Sequence, residues 1–255
     1  MDFKRGWENL MKRPRVVAVI PARHGSTRFP GKPLAQILGK PLIQWVWEGA
    51  KESKSLQKVL IATDDPSIAQ VARSFGADVV MTRADHPSGT DRVAEATAHE
   101  TADWILNLQG DEPLIRGSVL DEMIQGLRPE YGMGTIATPL ERVSDLKTPD
   151  IVKVAFTPEG KALGFRRQVA ESEGSKWMHQ HVGLYAYQPA TLQKIVQLPP
   201  SEGEKRERLE QLRALENGIA IQVLMLSFKS VGVDTPGDVT RAERALADRA
   251  TTISK

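Results

Sequence analysis

The chain has 255 residues, which is enough for one large α/β domain or a domain with a small appendage. Its formal net charge is only +2, so it lacks the strongly basic balance that is typical of nucleic-acid-binding proteins. It contains no cysteine, which excludes disulfides, thiolate nucleophiles and thiolate metal ligands. It has neither an apolar run long enough to cross a membrane nor the apolar core of a secretory signal, and we therefore expect a cytoplasmic protein.

Strand-like and helix-like segments alternate along the chain, which predicts a mostly parallel sheet wrapped by helices. In chain order, the predicted elements are strand 16–20, helix 42–51, strand 58–62, helix 66–75, strand 78–81, helix 90–100, strand 103–108, short strands 134–140, 152–156, 162–165 and 182–187, helix 202–217, strand 219–225 and a last helix ending near 249. The short strands predict a small antiparallel part at about 134–190. We expect a single domain over 14–250, preceded by a basic N-terminal extension over 1–13.

The most informative segment is the loop that follows the first predicted strand. The apolar run 16–20 predicts a buried central strand, and the loop after it contains small residues and the cations Arg23, Arg28 and Lys32. Unshielded backbone N–H groups and positive charges at the carboxyl end of a strand are suited to bind a polyphosphate. The loop has neither the Walker pattern nor the Rossmann glycine pattern. The alternative interpretation is a surface loop with scattered charges.

Two aspartates are candidate ligands for a divalent cation. Asp111 follows the predicted strand 103–108, where we expect it to face the same crevice as the phosphate loop, and Asp234 lies in a turn before the last helix. Mg²⁺ typically takes one or two carboxylates together with phosphate oxygens and waters. Glu112 is the neighbouring alternative at the first position. The structural alternatives are a turn acid for Asp111 and a helix N-cap for Asp234.

A polar loop that leads into the predicted helix 90–100 is a candidate for contacts with a nucleoside. Ser88, Thr90 and the backbone near Gly89 are suited to contact a base or a ribose. The alternative is that this segment only starts the helix, with Thr90 as its cap.

The predicted strand 182–187 and the histidine before it are candidates for binding a sugar. Alternation along the strand places four residues on one face: His181, Gly183, Tyr185 and Tyr187. A histidine and a tyrosine facing a cleft are suited to hydrogen-bond an acidic sugar, whereas a lone strand histidine is often structural. On the predicted helix 202–217, Glu210, Gln211 and Arg213 either reach the sugar or form a solvated face.

Eight segments, in this order along the chain, together resemble the CMP-Kdo synthetases, also called 3-deoxy-manno-octulosonate cytidylyltransferases. They lie at 20–34, 62–64, 81–92, 107–113, 152–154, 181–185, 209–213 and 232–236. The resemblance implies a nucleotide-diphospho-sugar transferase-like (Rossmann-like) α/β fold, a three-layer sandwich with a mixed, mostly parallel sheet and a small antiparallel extension.

The resemblance also implies an activity. This activity is transfer of CMP from CTP to the anomeric hydroxyl of 3-deoxy-D-manno-octulosonate (Kdo), which gives CMP-Kdo and pyrophosphate for lipopolysaccharide biosynthesis. It further implies Mg²⁺ as the cofactor, CTP and an acidic sugar as the binding partners, and a homodimer whose contacts involve the antiparallel part of the domain.

The residues that match the family motifs acquire expected roles from the resemblance. Those expected around the nucleotide are Ala22, Arg23, Ser26, Thr27, Lys32, Arg83, Asp85, Ser88 and Gly89. Those expected around the sugar are Gln109, Arg167, His181, Tyr185, Glu210 and Gln211. The metal is expected on Asp111 and Asp234, and the catalytic residues are expected to be Arg23, Lys32, Asp111 and Asp234.

The chain departs from the family pattern between its Val-Lys-Val segment and His181. Arg166 stands where the family usually has a serine, the usual Ile-Pro pair is missing, and the stretch up to His181 is short. Arg167 still matches the family arginine that would face the sugar carboxylate. The departure leaves two alternatives: a cytidylyltransferase for a modified acidic sugar such as 8-amino-Kdo, or a non-catalytic nucleotide-binding paralogue.

Overall fold

An apolar, β-branched run forms the centre of the sheet, and further strands lie on both sides of it. The computed structural model describes residues 13–25, 29–177, 179–228 and 230–253, so nearly all of the predicted extension lies outside the described residues. The elements are, in chain order, β1 (Val16–Ala22), β2 (Gln36–Ile37), β3 (Lys40–Pro41), α1 (Leu42–Lys51), β4 (Lys58–Thr63), α2 (Pro66–Ser74), β5 (Asp78–Met81), α3 (Gly89–Ala96), β6 (Trp104–Leu108), α4 (Gly117–Gly126), β7 (Met133–Pro139), β8 (Lys153–Phe156), β9 (Ala162–Arg166), β10 (His179–Tyr187), α5 (Pro189–Gln197), α6 (Glu202–Glu207), α7 (Gln211–Glu216), β11 (Ile221–Met225) and α8 (Asp238–Ile253).

The order of the strands places a crevice beside β1. The main sheet runs β11-β7-β10-β6-β1-β4-β5, and β8 and β9 branch from β10. β1 is parallel to β4 on one side and to β6 on the other, whereas β10 is antiparallel to both β6 and β7. After β1, the chain adds β4 and β5 on one side of it and then returns to add β6 on the other side, so the order of the strands reverses between β1 and β6. Open α/β sheets bind ligands at such a switch point, outside the carboxyl ends of the strands.

Both faces of β1 are buried, which makes the domain a three-layer sandwich. Val16, Ala18 and Ile20 pack into a core with residues of α1, α2 and α4. Val17 and Val19 pack into a second core on the opposite face, with residues of α3, α5 and α7. The predicted α/β sandwich and its small antiparallel part are thus confirmed.

Most of the predicted elements are confirmed, and the differences have local causes. The predicted helix 202–217 is wrong as one helix, because the backbone at Arg208 is left-handed (φ 55°) and separates α6 from α7. Helix α4 is not predicted, since it starts without a side-chain cap, and α5 is not predicted although a proline opens it. Among the described residues there is no helix that is both long and apolar enough to cross a membrane.

A buried lysine joins the antiparallel part to its surrounding loops. Lys153 on β8 is 0% exposed, and its Nζ lies within hydrogen-bond distance of four backbone carbonyls. They belong to Asp145 at 3.2 Å, Thr148 at 2.8 Å, Ile151 at 2.5 Å and Arg167. Burial lowers the pKa of Lys153 to about 8, so most of the ammonium stays charged near neutral pH.

Replacing this lysine with an apolar side chain of similar length tests its structural role. We expect Lys153→Met to lower the free energy of unfolding by about 3 kcal/mol, because carbonyl acceptors stay buried without a donor. Urea unfolding measures the change. The matched control is Lys194→Met, since Lys194 is exposed on α5 and we expect a change within about 0.5 kcal/mol. Equal stabilities of the two variants would contradict this role.

Candidate active site

The loop after β1 folds back on itself before it reaches Lys32. The backbone N–H of Gly31 donates to the carbonyl of His24 at 3.1 Å, and Gly31 adopts a positive φ of 70° that favours glycine. Lys32 then begins a short 3₁₀ helix, Lys32–Leu34, that brings its side chain to the base of the crevice.

The remaining predicted residues of this loop differ in their surroundings. Ala22 is buried at the end of β1, and the side chain of Arg23 is exposed to solvent. Ser26 and Thr27 lie outside the described residues.

Lys32 lies between the two predicted metal ligands. Its Nζ is 2.8 Å from Oδ2 of Asp111 and 3.3 Å from Oδ1 of Asp234. The side chains are only partly exposed, at 16% for Lys32, 27% for Asp111 and 44% for Asp234. The structure therefore brings together three predicted residues from three separate parts of the chain.

Backbone contacts hold both carboxylates in this position. The N–H of Val233 donates to the carbonyl of Asp111 at 2.9 Å, which joins the two loops directly. The carboxylate of Asp238 accepts the N–H groups of Asp234 at 3.0 Å and Thr235 at 2.9 Å. The sequence does not predict this role for Asp238, because the two N–H groups precede the helix and reach its carboxylate only through the turn before it.

Glu112, the alternative ligand beside Asp111, takes a different partner. The hydroxyl of Ser230 lies 2.9 Å from both of its carboxyl oxygens. Burial, reinforced by the negative charge of Asp111, raises the pKa of Glu112 to about 8. Ser230 therefore lies against both carboxyl oxygens of Glu112, whereas the carboxylate of Asp111 faces Lys32.

The start of α3 lies next to the end of β1. Ser88 is the N-cap of α3, and its Oγ accepts the N–H of Asp91 at 3.2 Å, so the expectation that Thr90 is the cap is wrong. A Cβ on Gly89 would lie 3.4 Å from Cγ of Pro21, which is van der Waals contact with the end of β1. Ser88 and Gly89 are therefore close to the phosphate loop.

The loop before α3 carries Arg83 and Asp85, which are both exposed. Glu95 of α3 holds the base of this loop by accepting the N–H of Arg83 at 3.2 Å. Arg92, in the same motif, is buried and forms an ion pair with Asp64 at 2.9 Å. Arg92 and Asp64 thus have structural roles, whereas Arg83 and Asp85 are available to a ligand.

Buried polar contacts connect α3 with the start of α7. The carboxylate oxygens of Glu210 lie 2.9 Å from Oγ of Ser88 and 3.0 Å from Oγ1 of Thr90. Burial raises the pKa of Glu210. The hydroxyl of Tyr185 donates to Oε1 of Gln211 at 3.1 Å, and the buried Nε2 of Gln211 has no hydrogen-bond partner in the described part of the chain.

The same polar network extends across β6. The Nε2 of Gln109 donates to Oδ1 of Asn107 at 3.0 Å, and Nδ2 of Asn107 lies 3.4 Å from Oγ1 of Thr90. A Cβ on Gly183 would lie 3.5 Å from Cγ of Gln109, so β10 approaches the same place. The network contains most of the residues that we expect around the sugar.

His181 lies in a row of aromatic side chains on one face of β10. Its ring centroid is 5.0 Å from that of Phe165 and 5.5 Å from that of Tyr185, which is itself 6.1 Å from Tyr187. The predicted common face is therefore confirmed. Nε2 of His181 is 3.0 Å from Oγ1 of Thr135, and burial lowers the pKa of His181 to about 3, so the imidazole is neutral.

Two arginines near the predicted sugar residues are engaged with protein groups. The guanidinium of Arg167 donates to the carbonyls of Glu207 at 2.7 Å, Pro149 at 3.0 Å and Arg208 at 3.2 Å. Arg213 forms a buried, two-point ion pair with Glu204.

A charged crevice at the switch point of a mostly parallel sheet is a common place for nucleotides to bind. The family model described as Cytidylyltransferase matches residues 17–221. A solved cytidylyltransferase from Leptospira borgpetersenii serovar Hardjo-bovis, 18% identical, shares the fold with a TM-score of 0.59 over 90% of this chain and 85% of that chain. The class of protein is therefore cytidylyltransferase.

More similar proteins narrow the class. The 3-deoxy-manno-octulosonate cytidylyltransferase of Thermodesulfovibrio yellowstonii is 44% identical over 90% of this chain and 97% of its own length. The enzyme of the same name from Syntrophotalea carbinolica is 45% identical over 91% of this chain and 98% of its own. A solved CMP:2-keto-3-deoxy-manno-octonic acid synthetase complexed with CTP is 39% identical, with a TM-score of 0.86 over 92% of this chain and 99% of that chain. The chain belongs to the family of 3-deoxy-manno-octulosonate cytidylyltransferases.

The neutral state of His181 predicts a pH dependence of stability. A histidine with a folded-state pKa of about 3 and an unfolded-state value of 6.5 stabilises the fold above pH 6.5, and this contribution is lost as the pH falls toward 3. We expect the free energy of unfolding to decrease by up to about 1.4 kcal/mol per pH unit below pH 6.5 because of this residue.

Urea unfolding between pH 5 and pH 7.5 measures this dependence. His181→Gln should flatten the acid side of the profile, whereas the control His99→Gln, at an exposed position, should keep the slope of the wild type. A slope that persists unchanged in His181→Gln would show that another group causes it.

Proposed function

We propose that this chain transfers CMP from CTP to the anomeric hydroxyl of Kdo, with CMP-Kdo and pyrophosphate as products, in lipopolysaccharide biosynthesis. The observation that best supports the proposal is the position of Lys32, whose Nζ lies 2.8 Å from Asp111 and 3.3 Å from Asp234 beside the phosphate loop. The relatives carry the name of this activity, and one solved relative is described as complexed with CTP.

The triphosphate of CTP would lie in the loop after β1. Lys32 would exchange its contacts with Asp111 and Asp234 for contacts with phosphate oxygens, which an ammonium binds as a compact point charge. Arg23 is exposed at the mouth of the loop and would hold a second phosphate. The proposal also includes Ser26, Thr27 and the backbone of Ala22 in the lining of this loop.

The residues present fit a Mg²⁺ ion. Asp111 and Asp234 offer hard carboxylate oxygens on opposite sides of one ammonium, and carboxylate oxygens are the ligands that Mg²⁺ takes in proteins. In the described residues no group of three or more His, Cys, Asp or Glu side chains is placed to hold a metal, so phosphate oxygens and waters would complete the coordination. When bound, Mg²⁺ would neutralise charge on the phosphate and lower the pKa of the sugar hydroxyl.

The polar network below the crevice would hold the cytidine of CTP and the acidic sugar. Arg83, Asp85, Ser88 and Gly89 would surround the cytidine. The residues proposed to line the sugar site are Gln109, His181, Tyr185, Glu210 and Gln211, and Arg167 lies behind them with its guanidinium on backbone carbonyls. The Nε2 of Gln211, which has no partner among the described residues, supports a ligand there, because a buried N–H group is costly unless an acceptor such as a sugar oxygen reaches it.

The chemical step is an in-line displacement at the α-phosphorus. The anomeric oxygen forms a bond to this phosphorus, the bond to the bridging oxygen of the β-phosphate breaks, and the hydroxyl proton passes to solvent. Negative charge builds on the phosphoryl oxygens and on the leaving pyrophosphate. Lys32 and Arg23 would stabilise that charge, which is the main contribution that fixed cations make in such reactions.

The proposal includes a cytoplasmic location and a homodimer. Val143 and Leu163, at 56% and 62% exposed, are large apolar side chains in the antiparallel part of the domain, and they support contacts between subunits in that region. Light scattering of the purified protein measures the assembly state directly.

Removing the negative charge of either proposed metal ligand tests the catalytic part of the proposal. We expect Asp111→Asn and Asp234→Asn each to lower kcat by about 100-fold or more, because each loses a charged oxygen that holds the cation at the reacting phosphate. Pyrophosphate release from CTP, Mg²⁺ and Kdo measures the rate. Asp150→Asn, at an exposed position, is the control and should keep full activity. Activity in Asp111→Asn equal to that of the control would contradict the proposed site.

The same assay separates the alternatives for the substrate. A panel of acidic sugars that includes 8-amino-Kdo should give the highest kcat/KM with Kdo. A preference for the amino sugar would replace Kdo in the proposal. Binding of CTP without pyrophosphate release from any sugar would instead indicate a non-catalytic paralogue.

A further inference from the structure

The chain makes an unfavourable turn immediately before two of the residues proposed to face the sugar. Arg208 has φ 55° and ψ 48°, a left-handed conformation in which residues other than glycine pay a steric cost. Its N–H donates to the carbonyl of Glu204, and that of Leu209 reaches the same carbonyl at 3.3 Å. The turn ends α6, and Glu210 follows it directly.

The side chain of Arg167 binds the backbone of this turn. Its Nε donates to the carbonyl of Glu207 at 2.7 Å, and its Nη2 donates to the carbonyl of Arg208 at 3.2 Å. The backbone N–H of Arg167 also donates to the carboxylate of Glu207 at 3.2 Å. Positive side chains near the last carbonyls of a helix satisfy acceptors that have no partner within the helix.

The position of Arg167 is itself fixed by the sheet. It follows β9 directly, and its carbonyl accepts a hydrogen bond from Nζ of the fully buried Lys153. Its Nη1 donates to the carbonyl of Pro149 at 3.0 Å. Arg167 therefore connects the end of β9 to the turn at Arg208, so the position of the turn depends on the position of the sheet.

The turn sets the direction in which the side chains of Glu210 and Gln211, two and three residues after Arg208, leave the backbone. Glu210 reaches the hydroxyls of Ser88 and Thr90, and Gln211 accepts the hydroxyl of Tyr185. A change of backbone at Arg208 would move both side chains away from these partners.

We propose that Arg167 is a positioning residue, which acts through the left-handed turn at Arg208 to place Glu210 and Gln211, instead of binding the sugar carboxylate directly. This inference rests on the proposed function of Glu210 and Gln211 at the sugar site. The family-based expectation is that Arg167 faces the sugar carboxylate. We depart from it because three of the five N–H groups of the guanidinium already bind carbonyls of the protein.

The test uses the difference between glycine and alanine at position 208. Glycine adopts the left-handed conformation without a steric cost, whereas alanine does not, and both remove the same side chain. The variants are Arg167→Ala, Arg167→Ala with Arg208→Gly, Arg167→Ala with Arg208→Ala, and each single change at 208.

We expect Arg167→Ala to lower kcat/KM for the sugar by about 10- to 100-fold, because misplaced contact groups cost rate. Arg208→Gly should restore a large part of the loss in the Arg167→Ala background, and Arg208→Ala should not. Equal activity of the two double variants, both as low as Arg167→Ala, would overturn the proposal and favour direct contact with the sugar carboxylate.

Hydrogen–deuterium exchange decides the same question without any substrate. Arg167→Ala should speed exchange of the amides of Arg208, Leu209 and Leu212, and Arg208→Gly should restore their protection. Unchanged exchange in Arg167→Ala would overturn the proposal.

Failure of the proposed function is recognised separately, because the wild type would then release no pyrophosphate. If Arg167→Ala does not fold, Arg167→Lys replaces it, since a lysine cannot bind the carbonyls of Glu207 and Arg208 with a planar fork.

Discussion

The contact of one ammonium with two carboxylates depends on the arrangement of the whole domain. Lys32 is 79 residues from Asp111 and 202 residues from Asp234, yet its Nζ reaches both. The parallel pairing of β1 and β6 brings the first two loops to the same end of the sheet, and the contact of Val233 with Asp111 adds the third. Any change that shifts one of these loops separates charges that the proposed chemistry requires in one place.

The site divides into a charged half and a half in which burial disfavours charge. Lys32, Asp111 and Asp234 form the charged half beside the phosphate loop. In the other half, burial keeps the imidazole of His181 neutral and raises the pKa of Tyr185 and of Glu210. Buried polar groups bind hydroxyl groups by hydrogen bonds, and fixed charges bind phosphates, so the division matches the two substrates in the proposed reaction.

The sequence predicts the parts of this arrangement that have local causes. The β-branched run at 16–20 and the periodic helix 42–51 are recognisable because burial fixes their patterns, and the rule for carboxyl ends of parallel strands predicts that Asp111 faces the phosphate loop. The break at Arg208 is not predictable, because the surrounding residues favour one continuous helix and the contacts that hold the turn come from Arg167, 41 residues away. The contact of Glu210 with Ser88, across 122 residues, likewise depends on the packed fold.

The central proposal is that Asp111 and Asp234 would hold a magnesium ion once the triphosphate binds and the Lys32 ammonium turns to it. A crystal structure of the protein with CTP and Mg²⁺ tests it most directly. The account predicts a Mg²⁺ ion within about 2.1 Å of an oxygen from each aspartate, with Nζ of Lys32 on a phosphate oxygen. A complex in which Lys32 keeps both carboxylates while the triphosphate and its metal lie elsewhere would contradict it.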